Sequence, residues 1–144
     1  MKALKKTIWS ILLAAVLFSL VGCGRAATAN AVVDYGTSSI YTQADMDEAI
    51  NVIKKAFRSM KGCELHSLSY TSDDCTGADN VAWMNKLGEA DGAKEIFTQC
   101  IVFESSFRSP EKGGGAWEAG KEYTWSWYLA RSEGGKWKLM TWGY

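Results

Sequence analysis

The chain holds four cysteines and a single histidine, the side chains from which a zinc site would be built. Cys63, His66, Cys75 and Cys100 would supply three thiolates and one imidazole, a ligand set that zinc accepts in tetrahedral sites. Cys63 and His66, however, lie in a strand-like segment, and side chains three positions apart on a strand point to opposite faces. We therefore expect no metal site and no cofactor.

The same cysteines can form a disulfide instead. Cys63 and Cys75 are the nearest pair in this part of the sequence, and they enclose a short loop. Cys100 lies in an apolar strand pattern, where a free thiol packs as a small hydrophobe. Three cysteines form at most one intramolecular bridge and leave one thiol over. We predict a Cys63–Cys75 disulfide, and three buried thiols without a bridge are the alternative.

His66 is the candidate for acid–base catalysis. Glu64 lies two positions before it and in phase with it on the predicted strand, so an imidazole and a carboxylate share one face. A polar pair on an exposed sheet face has the same pattern. The sequence contains neither the Gly-x-Ser-x-Gly elbow nor the Gly-x-x-x-x-Gly-Lys phosphate loop. No constellation of residues therefore specifies a reaction.

The domain is rich in aromatic side chains, which are the most informative feature of the sequence for a binding site. Six of the seven tryptophans follow position 22. In one strand-like segment tryptophans alternate with a tyrosine, which predicts rings on both faces of a sheet. We expect some rings to line a groove for a sugar, a peptide or another apolar ligand. The alternative is that the short helix and loops cover the second face. The candidate ligand-binding residues are Trp117, Trp125, Trp127, Tyr128 and Trp142.

The loop at residues 113–117 contains three consecutive glycines followed by Ala116 and Trp117. Glycine permits backbone conformations that other residues avoid, so this loop can adapt around a ligand. We predict that Trp117 acts as a lid over the aromatic surface. The alternative is a simple connector in which Trp117 packs on its own hairpin.

The N-terminal residues have the pattern of a secretion signal. Three lysines precede an apolar run at residues 8–21, which is shorter than the about 20 residues of a membrane-spanning helix. The run ends in Leu20-Val21-Gly22-Cys23, which resembles the lipobox of bacterial lipoproteins. The resemblance implies diacylglycerol on Cys23 and cleavage before it, whereas an uncleaved N-terminal anchor is the alternative. Because two acyl chains suffice for stable attachment, it also implies a protein anchored to the cell membrane and facing outside the cytoplasm.

Cleavage would also change the charge of the protein. Residues 1–22 include three lysines and no acidic side chain, so the mature chain would keep 13 of 16 basic side chains and all 16 acidic ones. Nucleic-acid binding depends on concentrated Lys and Arg. We therefore expect no nucleic-acid partner; the expected partners are the membrane and an unknown small ligand, glycan or protein.

The sequence divides into a signal peptide at residues 1–22, a flexible tether at 23–39 and one domain at 40–144. A long helix is predicted to begin after Thr42 as N-cap, with Asp45 in its first turn, and to end near Gly62. Its apolar positions recur at three- and four-residue steps, which places them on one face packed in the core. They are Met46, Ala49, Ile50, Ile53, Phe57 and Met60.

Four strands and a short second helix complete the domain. The predicted strands span residues 63–71, 94–107, 121–131 and 136–143, and the second helix spans 79–87. The strand at 94–107 is apolar on both faces, which is typical of a central strand. This order gives an α+β fold, a long N-terminal helix packed on a curved antiparallel sheet. It resembles the cystatin-like and nuclear-transport-factor-2-like folds.

Such folds host both binding proteins and enzymes, so the sequence supports two hypotheses. The first is a non-enzymatic binding or interaction module with an aromatic-lined sheet surface. The second is a small hydrolase or isomerase that uses His66 or a buried carboxylate. Aromatic side chains alone in the pocket would favour binding, and an acid or His66 at its floor would favour catalysis.

Overall fold

A computed structural model describes residues 26–143. The domain is α+β, with two α-helices, one short 3₁₀ helix and a five-stranded sheet that does not close into a barrel. The helices are α1, Gln43–Phe57, and α2, Ala78–Ala90, with the 3₁₀ helix at Asp73–Thr76 between them. The strands are β1 (Val32–Asp34), β2 (Glu64–Tyr70), β3 (Gln99–Arg108), β4 (Glu122–Arg131) and β5 (Lys138–Gly143).

Helix α1 begins as its sequence predicts. The Thr42 hydroxyl accepts the N–H of Asp45, and the Asp45 carboxylate accepts the N–H of Thr42, which forms a reciprocal capping box. The predicted apolar face is buried against the sheet, except that Met60 lies beyond the helix and is half-buried. The buried side chains are Met46, Ala49, Ile50, Ile53 and Phe57.

The predicted end of this helix at Gly62 is wrong. Helix α1 ends at Phe57, and the N–H groups of Met60 and Cys63 then donate to the carbonyls of Phe57 and Met60 in successive turns. Gly62 has a φ of 75° and closes the last of these turns. The glycine at position 62 therefore belongs to the turn that leads into β2 and not to the end of the helix.

The sheet is mixed and has five strands, whereas the sequence predicted an antiparallel sheet of about four. The strand order is β1-β2-β3-β4-β5, with β1 parallel to β2 and the other neighbours antiparallel. Strand β3 is central, as its two apolar faces predict, and it pairs along its whole length with β4. Helix α1 packs on one face of the sheet and α2 on the other.

The additional strand lies in the segment predicted to be a tether. Residues 26–39 lie along the edge of the sheet: the N–H of Ala27 donates to the Cys63 carbonyl, and the N–H of Leu65 donates back to the Ala27 carbonyl, both at 2.9 Å. Val32 in β1 is 68% exposed. This strand is held by backbone hydrogen bonds, which leave little trace in side-chain pattern, so the sequence did not reveal it. Residues 23–25 of the predicted tether lie outside the described residues.

The start of β3 differs from the prediction for a local reason. The side chain of Asn85 on α2 accepts the N–H of Phe97 at 2.8 Å and donates to its carbonyl at 2.9 Å. These bonds satisfy the backbone that strand pairing would otherwise use, so β3 begins at Gln99 and not at residue 94. Strand β5 begins two residues later than predicted, and α2 is longer than predicted at both ends.

Candidate functional site

A row of contacting tryptophan rings crosses the α1 face of the sheet. Ring centroids are 5.3 Å apart for Trp117 and Trp125, 6.2 Å for Trp125 and Trp127, and 6.0 Å for Trp127 and Trp142. The last pair is stacked, with 13° between the ring planes. Trp127 is 1% exposed and Trp142 is 51% exposed. The row therefore runs from the half-buried Trp117, through the buried Trp127, to a ring that is open to solvent.

The exposed end of this row lies beside an apolar groove between α1 and β5. The groove has a volume of about 360 Å³. Trp127 and Leu139 form its floor on the sheet side, and Lys55 is the one ionisable side chain in its lining. The lining residues are Val52, Lys55, Ala56, Ser59, Met60, Trp127, Leu139 and Trp142.

Strand register and small side chains form the groove. Trp142 of β5 pairs with Trp127 of β4, and an irregularity between Tyr128 and Leu129 shifts the register farther along the two strands. On the other side of the groove, Ala56 near the end of α1 and Ser59 just beyond it are small and leave space beside the sheet. A stacked tryptophan pair thus borders a concave apolar surface, an arrangement suited to planar or aliphatic ligands.

Trp117 does not line this groove. Its ring packs edge-on against Phe107 at 5.6 Å and Tyr123 at 5.1 Å, beside Trp125. Its backbone closes a tight turn with Gly114 through two reciprocal hydrogen bonds of 3.1 and 3.2 Å. Three glycines with positive φ, at positions 113–115, form this turn. The geometry matches the alternative in which Trp117 packs on its own hairpin.

Tyr128 is separated from the other candidate residues by the thickness of the sheet. It lies on the α2 face, where its ring contacts Trp83 at a centroid distance of 5.0 Å. The short helix thus covers part of the second face, as the alternative explanation for the aromatic surplus proposed. The structure brings together Trp117, Trp125, Trp127 and Trp142 and leaves Tyr128 apart.

His66 lies away from the groove, in a β-bulge where the pairing of β2 with β3 shifts between Leu65 and Ser67. Its Nδ1 is 3.2 Å from the Glu122 carboxylate, and its Nε2 is 3.9 Å from the Glu64 carboxylate. Glu122 is in phase with Tyr128 along β4 and so lies on the opposite face from Trp127. The sequence did not reveal Glu122 as a partner of His66, because their contact depends on the alignment of β2, β3 and β4 in the sheet.

The predicted Cys63–Cys75 disulfide does not fit the fold. Cys63 precedes β2 and Cys75 follows it, so seven residues of strand, roughly 20 Å, separate them. A disulfide requires Cα atoms within about 7 Å. Cys63, Cys75 and Cys100 are free and buried. The Cys75 thiol contacts the Cys100 carbonyl at 3.3 Å, and burial raises the pKa of Cys100 to about 12.

The predicted lipidation site, Cys23, and the signal peptide at residues 1–22 lie outside the described residues. Within residues 26–143, no helix combines the length and apolar character needed to cross a bilayer. No protein-family model, curated protein or solved structure matches the chain.

Proposed function

We propose that the protein is a lipid-anchored lipoprotein facing outside the cytoplasm, and that its domain binds an apolar ligand in the groove between α1 and β5. The observation that supports binding over catalysis is the composition of the groove. Its floor is Trp127 and Leu139, and its lining contains neither an acid nor a histidine. His66 and Glu122, the pair suited to acid–base chemistry, lie on the other face of the sheet.

The lining also indicates the chemical class of the ligand. Trp142 offers an exposed ring face, and stacking against an aromatic ring contributes about 0.5–1.5 kcal/mol beyond the burial of its area. Lys55 stands at the rim on α1, where its ammonium can meet an anionic group while its alkyl stem lies along apolar surface. These features favour an amphipathic ligand, apolar in the groove and negatively charged at one end.

Fluorescence titration with anilinonaphthalene sulfonate tests this site, because the dye combines aromatic rings with one negative charge. Replacing Trp142 by Ala should weaken dye binding by about fivefold or more, equivalent to about 1 kcal/mol. Trp83→Ala is the matched control, since Trp83 is 40% exposed but lies on α2. Equal affinity in wild type and Trp142→Ala would contradict the proposal.

The charge at the rim is tested separately. Lys55→Gln should weaken binding of the sulfonate dye and leave binding of the uncharged analogue phenylnaphthylamine within about twofold. If both dyes lose affinity equally, Lys55 contributes shape rather than charge. The ligand would then be apolar without an anionic group.

The anchor is proposed from Leu20-Val21-Gly22-Cys23 and the apolar run before it. Mass spectrometry of the protein from bacterial membranes should find residues 1–22 absent and a diacylglyceryl group on Cys23. A Cys23→Ala variant should leave the membrane fraction. An unmodified Cys23, or a variant that matures and partitions normally, would refute this part of the proposal.

A further inference from the structure

The ordered domain begins very close to the proposed lipid. The N–H of Ala26 lies 3.4 Å from the carbonyl of Arg58, the residue that caps the C-terminal end of α1. Two residues lie between Cys23 and Ala26, and the three steps from Cys23 to Ala26 span at most about 11 Å. An anchor on Cys23 would thus hold this end of the domain, and no other, against the membrane.

This end of the domain, here called the entry end, comprises the last turn of α1, residues 58–64 and the loop at 109–121. The two loops are in direct contact: a Cβ placed on Gly62 would lie 3.0 Å from Cγ of Pro110. Glu64 pairs with Arg108 across β2 and β3, and Arg108 pairs with Glu122 across β3 and β4. The strand termini and both loops therefore face one direction.

The entry end carries a cluster of cations in a chain whose proposed mature form has an acidic excess. No acidic residue occurs between Glu48 and Glu64. Four cationic side chains lie in this stretch, and none of them forms an ion pair with any residue in the range 26–143. The acids of the neighbouring loop are neutralised locally, Glu111 by Arg108 and Glu118 by Lys121. The cluster consists of Lys54, Lys55, Arg58 and Lys61, with Lys112 on the adjoining loop.

Helix polarity explains only part of this cluster. Cations near a helix C-terminus are stabilised by the helix dipole, but the effect fades within the last turn. It accounts for Lys54 and Lys55 and does not reach Lys61 or Lys112, which lie in loops. Along α1 itself, the acids Asp45, Asp47 and Glu48 lie near the opposite, N-terminal end of the helix. The separation of charge thus follows the long axis of α1.

Aromatic side chains accompany the cations. Trp117 and Tyr123 are half-buried on the loop and at the start of β4, and Trp142 is exposed near the end of β5. Trp and Tyr are enriched at the level of lipid headgroups, where an amphipathic ring is partly apolar and partly hydrated. Anionic membrane surfaces attract neighbouring Lys and Arg, and each cation strengthens attachment roughly fivefold.

We propose that the entry end docks on an anionic lipid bilayer. Its cations would contact the lipid headgroups, and the neighbouring rings of Trp117, Tyr123 and Trp142 would lie at the interface. The inference rests on the proposed lipidation of Cys23. The reach of at most about 11 Å is only slightly longer than the roughly 8 Å Debye length at physiological salt, so the anchor would hold Ala26 and its hydrogen-bond partner Arg58 near the range of the membrane field. Ser59 and Met60 belong both to the entry end and to the groove, so docking brings the groove to the lipid.

Lysine footprinting tests the orientation. The mature protein, with its anchor verified by mass, is reconstituted into phosphatidylglycerol–phosphatidylcholine vesicles and treated with a membrane-impermeant acetylating reagent. We expect Lys61 and Lys112 to react more slowly on the vesicles than in detergent, and Lys86 and Lys136 to react equally in both. Vesicles of phosphatidylcholine alone should give weaker protection. Equal reactivity of all four lysines on the anionic vesicles would overturn the proposal.

A charge variant separates docking from anchoring. Lys54→Gln/Arg58→Gln/Lys61→Gln should abolish protection of Lys112 while Cys23 remains lipidated, and the matched Lys86→Gln/Lys94→Gln/Lys136→Gln variant should keep it. Persistent protection of Lys112 in the first variant would refute a role for the cations. An unmodified Cys23 in the purified protein would instead refute the anchor, and the docking proposal with it.

Discussion

Nη2 of Arg131 lies 2.9 Å from Oδ1 of Asp45, and the Arg131 side chain is only 9% exposed. The pair joins the last residue of β4 to the first turn of α1. Nε of Arg131 also donates to Gln99 at 2.7 Å, and its guanidinium lies 4.2 Å from the ring centroid of Trp137. Because Asp45 also closes the helix capping box, one carboxylate fixes both the start of α1 and its position on the sheet.

Replacing Arg131 by Met should destabilise the domain by about 2–4 kcal/mol. Removal of Arg131 leaves the Asp45 carboxylate, whose side chain is 25% exposed, without its cationic partner, and the contact of the guanidinium with the Trp137 ring is lost as well. Urea denaturation followed by tryptophan fluorescence measures the change. Arg131→Lys should recover only part of the loss, since an ammonium cannot serve Asp45 and Gln99 in the same fork geometry.

Arg108→Met is the control for this experiment. Arg108 pairs with Glu111 at 3.0 Å, but its side chain is 42% exposed. Exposed ion pairs contribute about 0–1 kcal/mol, so we expect a correspondingly small change. If both variants lose the same stability, the position of α1 does not depend on the Arg131–Asp45 pair.

Phe57→Ala should cost about 3–5 kcal/mol of unfolding free energy, the range for truncation of a buried aromatic ring. Phe57 is fully buried, and its ring contacts Phe107 at 5.3 Å and Trp127 at 6.2 Å. The same urea titration measures the effect. Met60→Ala removes a half-buried side chain and should cost about 1 kcal/mol. A loss below about 1 kcal/mol in Phe57→Ala would mean that the buried face of α1 is wrongly assigned.

The elements predicted best are those that the pattern of apolar and capping side chains identifies without any long-range contact. The stripe from Met46 to Phe57 repeats at helical spacing over about three turns, and Thr42 with Asp45 forms a local cap, so α1 was found together with its buried face. The apolar faces of β3 likewise identified a central strand. Each of these features depends on residues close in sequence.

The elements that were missed depend on contacts between distant parts of the chain. Strand β1 pairs through its backbone with β2, and its exposed valine gives no alternating pattern. The aromatic surplus indicated a binding surface, but only the pairing of Trp127 with Trp142 and the passage of α1 define a groove. The Cys63–Cys75 prediction failed because nearness in sequence is not nearness in space when a strand intervenes.

The thiols provide a third prediction. Ellman's reagent should react with none of Cys63, Cys75 and Cys100 in the folded protein, because all three are buried and burial raises their pKa values above the usual thiol range. In urea, three thiols per chain should react if Cys23 is a thioether and four if it is not. Ser59→Cys, at an exposed position, should react at once in the folded state and serves as the control. Peptide mapping that finds a Cys63–Cys75 bridge would contradict the fold.

The last prediction concerns Asp73, whose carboxylate fastens the segment before α1 to the 3₁₀ helix. It accepts hydrogen bonds from the Ser38 hydroxyl, from the N–H and hydroxyl of Ser39 at 2.8 Å, and from the Tyr70 hydroxyl at 2.8 Å. The bond from Ser38 and the others lower the pKa of Asp73 well below its ordinary value of 3.8. A carboxylate with a lowered folded-state pKa stabilises the fold above its ordinary pKa, and this contribution is lost as the pH falls through the folded value.

Asp73→Asn should therefore be less stable than wild type at neutral pH, and the difference should shrink as the pH falls below 3.8. Urea denaturation across this range measures the difference, and faster amide exchange at residues 38–41 should locate it. Asp74→Asn is the matched control. It removes the same negative charge from the adjacent position, and the Asp74 side chain is exposed. If the two variants behave alike, or if the effect of Asp73→Asn does not depend on pH, the hydrogen bonds to Asp73 do not fasten this segment.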